Sequence, residues 1–205
     1  MNTTTELLTV KEAAERRRSI RSYEPEPIPM ADVEEILRLT SLAPSAFNVQ
    51  PWRFVIVQTP EVKEALATAA YNQRQVHAAP AVIVLYTDMR ETLEHIDEVL
   101  HPGMDAASRA VAREGVLRPF SGMTEAEREA WGAEQGHIAL GYLLLAAESH
   151  GYQTSTMAGF DKEAVKRLLD LPSHTRVLAL IAIGRGAEEG FEHHRHGVDR
   201  IARVA

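Results

Sequence analysis

Cysteine is absent from the 205 residues, which excludes disulfides, thiol nucleophiles, iron–sulfur clusters and thiolate zinc sites. Any redox chemistry must therefore come from a cofactor, and the lack of thiols fits a reducing cytoplasm. Long apolar runs are also missing: the stretch Ile138 to Ala147 falls far short of the roughly 20 residues that span a bilayer. The opening MNTTTELLTVKEAAERRR lacks the basic-then-apolar order of a secretory signal. A soluble, unprocessed protein with no membrane partner is expected. Positive charge is not in excess, with 22 Lys and Arg against 29 Asp and Glu and a net charge of −7, which argues against nucleic acid as a partner.

Several motifs are missing too. Gly184 and Gly186 are followed by Glu189 where a third glycine would complete GxGxxG, and GxxxxGK[ST], HExxH, GxSxG and DxDxDG do not occur. Rossmann, P-loop, zinc-protease, α/β-hydrolase and EF-hand readings thus lack their minimal signatures. His193, His194 and His196 sit in a charged tail without a carboxylate shell, so a solvated tail and no metal site are expected. Glu91 and His95, four apart on a helix, read as an ordinary surface pair.

What is present alternates strand and helix in one domain, residues 1–205, without repeats or a linker. Thr9 can cap a helix from Val10 to about Arg18, and Glu24-Pro25-Glu26-Pro27-Ile28-Pro29 must be extended. A helix through Val33, Ile36 and Leu37 ends before Ala43-Pro44. Trp52–Val57 and Ala81–Tyr86 read as strands around a helix at 62–71. Residues 88–130 are polar, with helical stretches at 90–100, 104–114 and 124–133 but no strong buried face, as in a lid or insertion. Apolar residues wrap nearly all round the helix 133–150, which implies burial on more than one side. Gly151 caps it, a short segment leads to Asp161, a helix follows at 162–171, and Val177–Ile183 form the last strand.

Three clusters carry chemistry. Arg16-Arg17-Arg18-Ser19-Ile20-Arg21-Ser22-Tyr23 places forked donors and hydroxyls where a helix becomes an arm, which suits a phosphate or equally a solvated cation patch favoured by the helix C-terminus. Ala43 to Phe54 sets small and amide side chains between two prolines, able to read a planar heterocycle or simply to turn the chain. Gly151 to Asp161 offers small residues past which a ligand edge could run, or a capped loop.

Taken in order, RRSIRSY, APSAFNVQPWRF, YNQRQV before AAPAVIVLY, GHIALGYLLLAAESHGYQTSTMAGFD and LALIAIGRG resemble the nitroreductase family of FMN-dependent oxidoreductases, over most of residues 10–186 but not about 100–130. The resemblance implies an α+β fold, a mixed central sheet surrounded by helices, in an intertwined homodimer with FMN at the subunit interface. It would explain the all-round apolar helix. It implies that Arg17, Arg18, Ser19 and Arg21 bind the FMN phosphate and ribityl chain. Pro44, Ser45, Asn48 and Gln50 would approach the flavin from the partner subunit. Asn72 would face the pyrimidine end, and Ala158 and Gly159 would pass their backbone beside the flavin. Arg195, with Arg185 as rival, would complete the phosphate site from the C-terminal side.

Ala158 stands where some members have glutamate, which alters access to the flavin face. Phe120, Met123 and Trp131 fall in the variable lid over the substrate pocket. The implied reaction takes electrons from NADH or NADPH by a ping-pong mechanism to nitroaromatic, quinone or related planar acceptors, with no catalytic side chain because the flavin carries the chemistry. The same scaffold also serves enal or semialdehyde reduction and reductive dehalogenation, and a non-catalytic flavin-binding dimer is the remaining alternative.

Overall fold

The computed structural model describes residues 7–205. Helix α1 (Val10–Arg16) begins at Thr9, whose hydroxyl accepts from the Glu12 N–H at 3.3 Å while the Glu12 carboxylate accepts from the Thr9 N–H at 2.8 Å. This reciprocal cap fixes the start. The helix stops short of the expected Arg18 because Arg17 leaves helical backbone (ψ 125°). The proline-rich arm leads to α2 (Met30–Thr40), which ends before Ala43-Pro44 as the spacing predicts. Then come β1 (Trp52–Val57), α3 (Pro60–Ala69, with proline in its first turn), α4 (Arg74–Ala78) and β2 (Ala81–Thr87).

The remaining elements are α5 (Met89–Glu94), α6 (Ala106–Leu117), α7 (Glu125–Ser149), β3 (Gln153–Met157), α8 (Lys162–Leu168), β4 (Arg176–Gly184) and α9 (Val198–Ile201). The four strands lie in the order β1-β2-β4-β3, and every neighbouring pair is antiparallel. The mixed sheet expected from the family resemblance is met only by one parallel bridge, Ser19 to Thr154, where the arm after α1 meets the β3 edge. Strand β3 itself, QTSTM, had read as part of a loop. It is an edge strand without an apolar run, and its pairing with β4 rather than its composition makes it a strand.

The two inner strands are buried on both faces, which is why they read as continuous apolar runs. Successive side chains point to opposite sides. Ile83, Leu85, Ile181 and Ile183 join Val33, Ile36 and Leu143 under α2 and α7, while Val82, Val84, Leu180 and Ala182 join Leu66, Val76 and Val165 under α3 and α8. Each such side chain contributes about 1.5–3 kcal/mol by leaving water.

Residues 88–130 differ from the sequence reading in having a core of their own. Met89, Ile96, Leu100, Val116 and Phe120 pack with Val49 in a third cluster. The expected helices at 124–133 and 133–150 are one 25-residue helix, capped at Thr124 by the same reciprocal device with Glu127. Gly132 and Gly136 do not break it. They let it lie close on the sheet: a Cβ on Gly136 would stand 2.5 Å from Leu178 Cδ1 and 3.0 Å from Thr87 Cγ2.

Gly136→Ala is accordingly expected to cost about 1–3 kcal/mol through overpacking. Gly115→Ala in α6, where nothing lies within 4 Å, is expected to gain up to about 1 kcal/mol from helix propensity. Urea unfolding of the two variants against the parent distinguishes these signs.

Candidate functional site

The arm that follows α1 is pinned at both ends. The Ile20 N–H donates to the Thr154 carbonyl at 3.1 Å, and the buried Tyr23 hydroxyl donates to the Ile20 carbonyl at 2.6 Å and lies 3.2 Å from that of Ala182. Burial raises the Tyr23 pKa, so the hydroxyl stays a donor. Past β4 the chain doubles back over this arm. Gly190 adopts φ +72°, and a Cβ there would stand 2.8 Å from Ile20 Cδ1, so the tail passes close over the arm.

Between arm and tail lies a cleft of about 200 Å³ lined by Arg17, Arg18, Ser19, Arg21, Phe191, Glu192, His193 and Arg195. Arg17 is half-buried, and burial together with the neighbouring Arg195 pushes its pKa down. Crowded, partly desolvated guanidinium groups repel one another unless an anion joins them, so the donor set fits a phosphate. Arg18 is partly engaged already: its Nη1 donates to the carbonyls of Glu15 (2.7 Å) and Arg16 (3.0 Å), closing the end of α1. His193 Nε2 lies 2.6 Å from the Arg17 carbonyl and 2.9 Å from Arg18 Nη1, so it donates to the first in one tautomer or accepts from the second in the other.

A second, wider hollow of about 630 Å³ shares Arg21 and Phe191 with the first and adds Arg74, Gln75, Glu188 and Gly190. Glu188 accepts from the Arg21 N–H at 2.6 Å and from Arg74 at 3.2 Å, and Arg74 also reaches Ser22. The Arg21 N–H holds the exposed Glu188 carboxyl below its usual pKa. Asn72 sits at φ +53° in the turn after α3. The next residue, Gln73, donates to the Gly159 carbonyl at 2.8 Å, which places Asn72 near the Ala158-Gly159 segment. Arg195 lines the basic cleft, whereas Arg185 lies over the Tyr152 ring, 5.2 Å from its centroid.

Pro44, Ser45, Asn48 and Gln50 are elsewhere. Their loop leads into β1, the edge strand opposite β3, and three strand spacings separate the two edges by about 14 Å. Gln135 on α7 accepts the Ala46 N–H at 3.0 Å, Asn48 donates to the Val99 carbonyl at 3.1 Å, and Ser45 Oγ accepts the Gln50 N–H at 3.1 Å. Phe47, Asn48 and Gln50 all have φ between +46° and +58°, a conformation costly for residues other than glycine and held here by these bonds. Phe47 is 50% exposed, while Phe120, expected in the lid over the pocket, is 2% exposed and meets Phe47 edge to face at 6.4 Å. Trp131 backs Phe120 at 4.8 Å. Of these three rings Phe47 is the one offered to solvent.

Sequence reading missed Arg74, Gln75, Glu188 and Phe191 beside the cleft, although Arg74 and Gln75 belong to the YNQRQV stretch. It also missed Asp88, Glu129 and His174, whose ligand-type atoms lie within 4.8 Å of one another. Three of their four carboxylate oxygens are already engaged. Asp88 Oδ1 accepts the Glu91 N–H and lies 2.9 Å from His174, and Glu129 accepts the Met89 N–H and the Thr87 hydroxyl. The group ties α5, α7 and the start of β4 together. The tail histidines are exposed, and Glu91 pairs with Arg53 at 2.7 Å.

The Nitroreductase family model matches residues 14–185, and the chain belongs to this family of oxidoreductases. A protein of Thermus thermophilus named NADH dehydrogenase is 45% identical over 98% of both chains. The candidate NAD(P)H nitroreductase YdgI of Bacillus subtilis is 34% identical over 91% of this chain and 92% of its own. Among solved structures, a candidate nitroreductase of Exiguobacterium sibiricum in complex with FMN is 26% identical, with a TM-score of 0.89 over 98% of this chain and all of that one. Among the described residues no helix is long and apolar enough to cross a membrane.

Inorganic phosphate is expected to raise the melting temperature of the protein and to leave that of Arg17→Ala unchanged. At a concentration about tenfold above its Kd, phosphate contributes about 1.4 kcal/mol. Differential scanning fluorimetry of both proteins against a sodium chloride control of equal ionic strength reads the difference.

Proposed function

We propose that the protein is an FMN-dependent NAD(P)H oxidoreductase that works as a homodimer and reduces planar nitroaromatic or quinone-like acceptors. The observation that carries this reading is the separation of two half-sites, the arginine cleft beside β3 and the Pro44–Gln50 loop at the opposite edge. A second copy brings the loop of one chain to the cleft of the other. Support for the second copy comes from an apolar groove of about 450 Å³ that includes Val10, Leu39, Leu42, Tyr142 and Leu145. Tyr142 and Ile138 are 42% and 40% exposed on the face of α7 turned from the sheet. Such a patch suits an interface better than water.

In this reading Arg17, Ser19, Arg21 and Arg195 hold the phosphate, Arg18 adds charge while closing α1, and Asn72 and Gly159 meet the ring edge. Pro44, Ser45, Asn48 and Gln50 cover the flavin from the partner. When bound, the flavin supplies hydride uptake from NAD(P)H and electron delivery to the acceptor. Donor and acceptor share one opening, so they alternate and the kinetics are ping-pong. Ala158, where some members carry glutamate, leaves that opening wider. The exposed Phe47 ring offers a flat apolar wall for a planar acceptor. No side chain is assigned as acid or base.

Purified protein is expected to be yellow, with one flavin per chain, and to bleach on anaerobic addition of NADH or NADPH. A colourless protein that also refuses added FMN contradicts the reading. Arg21→Ala is expected to lose flavin occupancy more than it slows turnover on the flavin that remains. Leu145→Asp, which puts a charge into the apolar groove, is expected to sediment as a monomer without flavin. A flavin-loaded monomer would show that one chain suffices.

A further inference from the structure

Where the end of α7 packs against α1, next to the arginine cleft, lies a group that the reaction as proposed does not use. Glu148, in the last turn of α7, is 5% exposed, and its buried Oε2 has no hydrogen-bond partner among the described residues. It stands out in the sequence only as the acid in LLLAAESHG. We propose that Glu148 is a buried counter-ion to the cleft and takes up a proton from solvent when the phosphate of FMN seats on Arg17 and its neighbours. This rests on the assignment of the cleft to the FMN phosphate.

From the end of α1 and the arm that follows, Arg16, Arg17 and Arg18 face Glu148, and from β3 the Gln153 side chain, which also accepts the Gly186 N–H. The tail adds Arg195 beside Arg17 and His193 against the Arg17 carbonyl. No ion pair closes between Glu148 and an arginine among the described residues, so its carboxylate balances the cleft through space. Burial pushes its pKa up, and Gln153 and the arginines pull it back. A phosphate dianion on the solvent side of Arg17 takes over the role of counter-ion and repels the carboxylate. The carboxylate then becomes a carboxylic acid, one proton passing from buffer to Oε2 or Oε1.

The sign follows from linkage. A group whose pKa is higher in the complex makes binding tighter as pH falls, with log Kd rising by up to about one per pH unit across the interval between the two pKa values. The phosphate itself titrates near pH 6, so the test is a difference between proteins. FMN is titrated into apoprotein of the wild type and of Glu148→Gln from pH 6 to 8.5, by calorimetry in buffers of unequal ionisation enthalpy. Across that range the wild-type Kd is expected to weaken about tenfold relative to the variant, and the wild type is expected to take up more protons than the variant. Identical pH dependence and proton counts overturn the role of Glu148.

Riboflavin, which lacks the phosphate, provides the second measurement and needs no variant. At the pH of its largest FMN-linked proton uptake the wild type is expected to take up fewer protons with riboflavin, and equal counts overturn the inference. Wild-type protein that binds no flavin overturns the reading of the cleft and the inference together. That result is distinct from FMN binding whose proton count Glu148→Gln leaves unchanged.

Discussion

The close seating of α7 on the sheet is the constraint from which the rest follows. Gly132 and Gly136 are one turn apart, and a Cβ on either would run into Met89 or Leu178. With the helix that near, a single rod of about 37 Å reaches three separate places. Glu129 near its start accepts from Met89 and Thr87 and fixes the beginning of the 88–130 segment. Gln135 holds the strained 44–50 loop by the Ala46 N–H. Glu148 at its end is buried where α7 packs against α1. Both half-sites are thus referred to one rigid element, although they stand at opposite edges of the sheet.

The same helix connects packing to assembly. Its inner face fills the core through Ala139, Leu143 and Ala147, while Ile138 and Tyr142 stay exposed on the other side. A helix apolar on both faces offers its outer one to a partner surface, which the proposed dimer supplies. In the proposed dimer, the apolar contact that covers this face is also what brings the loop of one chain to the cleft of its partner. Flavin binding and association then become linked equilibria, each favouring the other.

Much of this was legible in the sequence because it rests on local rules. Thr9, the three prolines of the arm and Ala43-Pro44 set the ends of α1 and α2, and the apolar runs of β1, β2 and β4 could be placed almost to the residue. The basic cluster and the amide loop were also visible as chemistry. What could not be read depends on partners distant in sequence. QTSTM becomes a strand only beside β4, and the positive φ of Phe47 and Asn48 is imposed by bonds to Gln135, Val99 and Gln50 rather than announced by glycine. The core of residues 88–130 was hidden because Met89, Ile96, Val116 and Phe120 are spread over several short helices. Arg195 was preferred to its rival Arg185 on the resemblance alone, and it is the turn of the tail over Ile20 that brings Arg195 to the cleft.

The central claim, that one flavin site needs the cleft of one chain and the loop of another, is tested most directly by mixing two defective proteins. Arg21→Ala damages the cleft, and Ser45→Trp blocks the loop at a position whose extended backbone accepts any side chain. Each alone should bind almost no FMN. Unfolded together and refolded as a mixture, they should regain about one quarter of the wild-type flavin, since half of the two-fold dimers are mixed and each of those has one intact site. Flavin content that stays at the level of the separate variants would mean that each site is built within a single chain.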